Sequence, residues 1–217
     1  MYDLDAAIRT RRSTRQFLPD KPVPRELVDE ALDLAMRAPS NSNIQPWRVV
    51  FTTGPARDRL VKALGAAARR SEPQIPPLPT QFEHHRFEVG AAMFGALGIA
   101  RHDAEARRAV VLRNWDFFGA PLAGVVCMHR ELDHVDSMSV GMFLQTLVLA
   151  LTARGLSTCT QVSIAGYPEV VHEQLAIPAD MRILCGLAVG YPDPCFPGNA
   201  LQTPRSPVSD NVTFVED

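Results

Sequence analysis

Apolar positions along the chain recur at helical spacing in some stretches and in short unbroken runs in others. Leu4, Ala7 and Ile8 share one face of a short helix through about Arg11, which Asp3 is placed to cap. After the turn Pro19-Asp20-Lys21-Pro22, Pro24 opens a second helix. Its stripe is Leu27, Val28, Ala31, Leu34 and Ala35, and Pro39 ends it. Val49-Val50-Phe51 reads as a strand, and 56–70 as a helix with Leu60, Leu64 and Ala67 inward. Prolines 73, 76, 77 and 79 forbid regular structure, so 72–80 reads as an exposed, mobile loop. The spacing predicts helices over 81–100 and 103–118, then a strand over 122–128. Ser137 or Ser139 is placed to cap a helix to about residue 154 that is apolar nearly all round, with Val140, Met142, Phe143, Leu144, Leu147, Val148 and Leu151. Such a helix needs burial on most sides, at the centre of a fold or in a subunit interface. Gly155 ends it, a strand follows over 156–160, Pro168 opens another helix, and 182–190 is a buried strand. The last strand-like run, 211–215, follows a proline-rich tail and needs a sheet to join.

Length and composition narrow the class. The 217 residues suffice for one domain with a sizeable core or for two small ones. A net charge of −2 gives no global field for nucleic acid or an anionic membrane, so a basic cluster here is a local device. The longest apolar run, near 142–151, is far short of a span and holds Gln145 and Thr146, and the N-terminus has no apolar signal core. Cys127, Cys159, Cys185 and Cys195 show no metal-ligand spacing. Cys127 and Cys185 sit in apolar runs and read as reduced core thiols, which fits a cytoplasmic setting. No Walker, GxGxxG, GxSxG or HExxH motif is present.

Three stretches carry candidate chemistry. Arg9-Thr10-Arg11-Arg12-Ser13-Thr14-Arg15 packs four guanidinium groups and three hydroxyls into seven residues. It reads as a solvated helix end suited to the C-terminal dipole, or as a phosphate site, since planar donor forks match phosphate oxygens. Pro39-Ser40-Asn41-Ser42-Asn43-Ile44-Gln45-Pro46-Trp47 is a stiff loop of short polar side chains. It is an ordinary helix-to-strand connection, or an edge of amide donors and acceptors for a heterocycle. Gln161-Val162-Ser163-Ile164-Ala165-Gly166-Tyr167-Pro168 is a strand-to-helix loop in which Gly166 permits close backbone approach. Phe82, Phe87, Phe94, Trp115, Phe117 and Phe118 are core residues or the lining of a flat pocket. His84 and His85 have no partner at metal spacing and read as surface residues.

Taken in order, Arg11–Arg15, Pro39–Trp47, Gly155-Leu156 leading to Gln161 and Tyr167-Pro168, and Leu175-Ala176-Ile177-Pro178 ahead of Gly186–Pro192 resemble the FMN-dependent nitroreductase family. The likeness runs from about residue 4 to 215 and is loosest over 68–118. It implies an α+β fold, a mixed, mainly antiparallel sheet flanked by helices. It also implies one FMN-binding domain over 1–217 and an intertwined homodimer with FMN at the interface. The tail, 192–217, would wrap onto the partner, and the apolar helix 139–154 would lie in the dimer interface.

The resemblance also assigns residues. Arg11, Arg12 and Ser13 would hold the FMN phosphate and ribityl chain, with Arg205 closing from the tail. Arg15 would place a cation near the flavin carbonyl that gains negative charge on reduction. Pro39, Ser40, Asn41, Asn43 and Gln45 would come from the other subunit. Gln161, Val162, Ser163, Ala165 and Gly166 would lie against the ring. The family's oxygen-insensitive enzymes carry an acidic residue just before this glycine, and this chain has Ala165. The implied activity is hydride transfer from NADH or NADPH to a small planar acceptor, a nitroaromatic or quinone, in a ping-pong cycle with the chemistry on FMN. Phe82, Phe87, Phe117 and Phe118 are the candidates for stacking on the acceptor. Related scaffolds perform reductive dehalogenation, ene reduction or flavin breakdown, and a flavin-storage protein without turnover is the reading from another class.

Overall fold

The computed structural model describes residues 3–216. The ends of the expected 1–217 unit, residues 1, 2 and 217, lie outside the described residues. Four strands, β1 (Arg48–Thr52), β2 (Leu122–His129), β3 (Ser157–Gln161) and β4 (Met181–Gly190), form one sheet in the order β1-β2-β4-β3. Every pairing among them is antiparallel. Among the described residues the parallel contribution is a single bridge, Ser13 to Thr158, which lays the arginine segment along the outer edge of β3.

The unbroken apolar run of β2 follows from its position: both faces of this central strand are covered. Ala123, Val125 and Cys127 point into one core with Leu60, Leu64, Phe117, Ile164 and Val171, under helices α3 (Gly54–Arg70) and α7 (Pro168–Leu175). Leu122, Val126 and Met128 point into the other core, under α2 (Arg25–Ala35) and α6 (His134–Ala153). The period-two alternation of Cβ directions makes one strand serve both layers.

Helix α6 starts five residues before the expected 139. Asp133 and Asp136 form a reciprocal capping box, the Asp133 carboxylate accepting from the His134 amide at 2.7 Å and Asp136 from the Asp133 amide at 3.3 Å. Ser137 and Ser139 therefore lie inside the helix. Gly155, at φ +76°, closes it, and the Leu156 amide reaches back to the Leu151 carbonyl. Among the described residues α6 alone is long and apolar enough to cross a membrane, yet Val140, Phe143, Leu147, Val148 and Leu151 pack on the sheet.

Three other expectations change. The predicted helix 103–118 is α5 (Ala104–Leu112) followed by 3₁₀ turns over Arg113–Gly119, with Phe117 and Phe118 both at positive φ. That conformation is costly for aromatic residues, by about 1–3 kcal/mol each. Here it is imposed by full burial of both rings and by the bond from the Phe17 amide to the Phe118 carbonyl. The predicted helix 81–100 is shorter, α4 (Glu83–Ala96). The proline loop is irregular as expected, but it is fastened. The Gln74 amide donates to the Gly166 carbonyl at 2.8 Å and the Tyr167 hydroxyl to the Ser71 carbonyl at 2.5 Å. Helix α1 (Leu4–Thr10) buries Ala7 alone, leaving Leu4 and Ile8 exposed, and Leu34 on α2 is also exposed.

Candidate functional site

The arginine segment is held extended by its neighbours. The Thr14 amide donates to the Thr158 carbonyl at 3.0 Å and the Leu18 amide to the Tyr191 carbonyl at 2.9 Å. Thr14 faces inward and is buried, so its extended neighbours Ser13 and Arg15 face the other way and line a cleft. The cleft has a volume of about 820 Å³, within the range of small-molecule sites. Its walls carry Arg9, Arg11, Arg12, Ser13 and Arg15 from one end of the chain and Arg205 from the other. The sequence-predicted basic residues, 190 positions apart, therefore meet.

Among the described residues none of these five guanidinium groups forms an ion pair. Glu88 is the single carboxylate on the wall. The tail organises Arg205 itself: Nη1 donates to the Thr203 carbonyl, the Thr203 hydroxyl and the Pro204 carbonyl at 2.7–3.0 Å. Its remaining donors make no hydrogen bond among the described residues. Beneath the segment, burial pushes the Cys159 thiol up to about 11, against the opposing pull of Arg15, Ser13 and Arg11. Cys159 is thus a neutral floor under a cationic wall.

The loop 39–45 lies elsewhere within the chain. Ser42, Asn43 and Gln45 all adopt left-handed backbone, an unusual concentration outside glycine. Local bonds hold it: the Gln45 amide donates to Ser40 Oγ at 3.0 Å, and the Asn41 amide to Ser139 Oγ on α6 at 3.2 Å. A smaller cavity of about 410 Å³, sharing Arg11 and Arg12 with the cleft, is lined by Thr152 near the other end of α6. Along the axis of α6, Ser139 lies about 9 Å from Gln145 of the arginine cleft and about 20 Å from Thr152 of the smaller cavity. Pro39, Ser40, Asn41, Asn43 and Gln45 line neither cavity in the single chain.

Nor do Gln161, Val162, Ser163, Ala165 and Gly166 line the arginine cleft. They follow β3 into a 3₁₀ turn, Val162–Gly166. Gly166 does permit close approach, but by the proline loop: an added Cβ there would stand 2.5 Å from Pro73 Cβ. Gln161 donates to the Asn114 carbonyl at 2.6 Å, while its buried Oε1 has no hydrogen-bond partner. Phe117 and Phe118 are core residues and present no stacking face, whereas Phe82 and Phe87 are exposed. His84 and His85 are on the surface as expected, yet His85 also forms cleft wall.

Several lining residues escaped the sequence reading. His85, Glu88, Val89 and Ala92 come from one face of α4, and Gln145 from α6. The α4 set follows helical spacing, so a face was legible there; what it faces was not. The donor set fits a flavin nucleotide in one respect that this structure tests. It offers several guanidinium groups and a hydroxyl to an anion, with one carboxylate to oppose it.

A model of the nitroreductase family matches residues 8–191. The chain belongs to the nitroreductase family. It is 37% identical to the 4-nitrobenzoate reductase of Nocardioides sp. (strain LMS-CY), over 98% of this chain and 90% of that one. It is 37% identical to the nitrobenzene nitroreductase of Ectopseudomonas oleovorans, over 99% and 97%. Among solved structures it is similar to the FMN and NADPH-dependent nitroreductase NfnB of Sphigopyxis sp. strain HMH, with a TM-score of 0.94, 31% identity, and 99% and 100% of the two chains covered. The mixed α and antiparallel β architecture is thus that of nitroreductases.

Proposed function

We propose that this nitroreductase-family protein is an FMN-dependent oxidoreductase that takes hydride from NADPH or NADH and reduces nitroaromatic acceptors. The observation that carries the reading is the cleft where Arg11, Arg12, Ser13, Arg15 and Arg205 converge, none of the arginines ion-paired among the described residues. Relatives named for 4-nitrobenzoate, nitrobenzene, FMN and NADPH support the substrate and cofactor class.

Bound FMN supplies the two-electron chemistry, accepting hydride and passing it to the acceptor. The chain's own residues bind and bias. Arg11, Arg12, Ser13 and Arg205 would hold the phosphate end by charge-assisted hydrogen bonds. Arg15, held at its backbone, would offer the bound ring a permanent positive charge, which would favour the reduced, more negative state. No side chain is assigned as an obligatory acid or base. Donor and acceptor use one site in turn, which gives ping-pong kinetics.

The working unit is a homodimer in a cytoplasmic setting. Exposed apolar side chains support the first point: Ile8, Leu34, Met138, Phe214 and Val215 all await cover. The loop 39–45 lines neither cavity of its own chain and supplies the partner's site, and the tail, 192–217, wraps onto that partner. The buried thiols support a reducing compartment.

The test is anaerobic. Purified protein should carry or take up FMN, and NADPH or NADH should bleach it; a nitroaromatic should restore the colour. Flavin that neither nucleotide bleaches would end the oxidoreductase reading. Bleaching followed by no turnover with nitroaromatics would move the reading to another reaction on the same scaffold.

A further inference from the structure

The tail and the arginine segment meet through one side chain. Asn199 sits in the 3₁₀ turn Pro197–Ala200, half-buried at the wall of the smaller cavity. Its Oδ1 accepts from the Arg15 amide at 2.8 Å, and its Nδ2 donates to the carbonyls of Gln16 at 2.8 Å and Asp193 at 3.0 Å. One acceptor and both donor hydrogens are thereby used, and the two carbonyls fix which way the amide points.

The location explains why an amide is needed. The segment pairs with β3 at Thr14, through the bond to Thr158, and with the 191–193 stretch from Phe17 on. Between them the Arg15 N–H has no strand partner, while the Gln16 C=O accepts from the Asp193 amide at 3.0 Å. Buried or half-buried backbone groups must find partners; Asn199 Oδ1 supplies the missing acceptor for the Arg15 N–H, and Nδ2 anchors the amide as a second donor to the Gln16 C=O. Its own position is set from behind. A Cβ on the preceding Gly198 would lie 2.6 Å from Met93 Sδ of α4 and 2.6 Å from Phe196 Cε1, so the turn is pressed against both. Six residues further on, the chain delivers Arg205 to the cleft that Arg15 also lines.

We infer that Asn199 is a positioning residue of the flavin cleft: its side-chain amide sets the register between the arginine segment and the tail, and so decides where the Arg205 guanidinium meets the cofactor phosphate. The inference rests on the flavin reading above. Because Asn199 acts through a phosphate contact, its loss should be phosphate-specific and should vanish once Arg205 is gone.

The experiment uses full-length protein stripped of flavin and titrated with FMN and with riboflavin, which has the same ring and no phosphate. The variants are Asn199→Ala, Arg205→Ala and the double variant. Asn199→Ala should weaken FMN roughly tenfold, the scale of one lost hydrogen bond, and riboflavin less than about twofold. In the Arg205→Ala background the same change should cost less than about twofold for FMN. Asn199→Ser, whose hydroxyl replaces part of the network, covers the case of an alanine variant that does not fold, and should show a smaller loss of the same kind. Equal losses for FMN and riboflavin, additive losses in the double variant, or unchanged FMN affinity would each overturn the inference. A wild-type protein that binds no FMN would defeat the flavin reading itself, so the two failures read apart.

Discussion

Gly186 is where the sheet meets the turn that follows β3. It pairs with Gln161 across β3 and β4, one residue before the turn Val162–Gly166. A Cβ added there would stand 2.4 Å from Ile164 Cγ1, 3.0 Å from Ile164 Cβ and 3.1 Å from Phe117 Cε1. Both neighbours are fully buried. Rotating Ile164 relieves the first contact but not the second, since Cβ moves only with the backbone of the turn. Phe117 is no easier to displace, being held in left-handed backbone under the core. Overpacking of this kind costs about 1–3 kcal/mol. With two rigid neighbours, Gly186→Ala belongs near the upper end, and at about 2–4 °C per kcal/mol for a chain of this size it lowers Tm by roughly 6–12 °C. The assay is thermal and urea unfolding at fixed protein and FMN concentrations, because both partners and ligands shift apparent stability. Ile164→Ala removes the offending Cγ1. Alone it costs about 2–5 kcal/mol. Combined with Gly186→Ala it should cost at least ~1 kcal/mol less than the sum of the two, since residues in contact couple. A Tm loss under about 2 °C for Gly186→Ala, worth less than ~1 kcal/mol, or strict additivity in the double variant would refute the reasoning.

Arg205→Ala and Arg11→Ala should each weaken FMN by roughly 1.5–3 kcal/mol while sparing riboflavin; flavin titration checks it, and unchanged FMN retention in both would place the phosphate elsewhere. Phe214→Asp should shift the protein toward monomer in sedimentation and lower FMN occupancy, because Phe214 is 80% exposed in the single chain and its cover is worth about 1.5–3 kcal/mol. Burial raises the Asp116 carboxyl above the ordinary carboxylate value, against Arg113, the Gly119 amide and Arg57. A raised acid pKa contributes stability that is present below the unfolded-state value and lost as pH rises through the folded-state value. Asp116→Asn, which keeps an acceptor for the Gly119 amide, should therefore flatten unfolding free energy over the range just above pH 4; denaturant midpoints across that range measure it.

The fold was legible where local signals and burial agreed. The strand runs around Val125, Val49 and Leu187 needed no tertiary information, because a β-branched and aliphatic run bounded by turns has few alternatives. The signal failed where tertiary packing overrode local preference. The spacing around Trp115, Phe117 and Phe118 reads as helix, yet the core claims both phenylalanine rings at once and forces the backbone left-handed to deliver them. The α6 cap failed for another reason: Asp133 and Asp136 compete with serines equally able to cap, and in the fold Ser137 turns its hydroxyl to the Asp133 carbonyl and Met128 Sδ instead.

The site divides along the same line. A run of four guanidinium groups is visible as charge density, and Arg205 stands out because prolines flank it; their meeting across 190 residues is tertiary, and the sequence carried it only through likeness to a family. Asn199 left no such trace. An asparagine after glycine reads as turn chemistry, and nothing local says that its amide serves two backbone groups of a segment 183 residues earlier. That asymmetry has a physical source. Charged ligand contacts need a residue type that composition reveals, whereas positioning contacts go to backbone N–H and C=O groups that every residue offers. The residues that decide how well the arginines grip are therefore the ones least conspicuous in the chain, and the comparison of FMN with riboflavin separates the two kinds, since a contact to phosphate and a contact that aims it fall together while a contact to the ring does not.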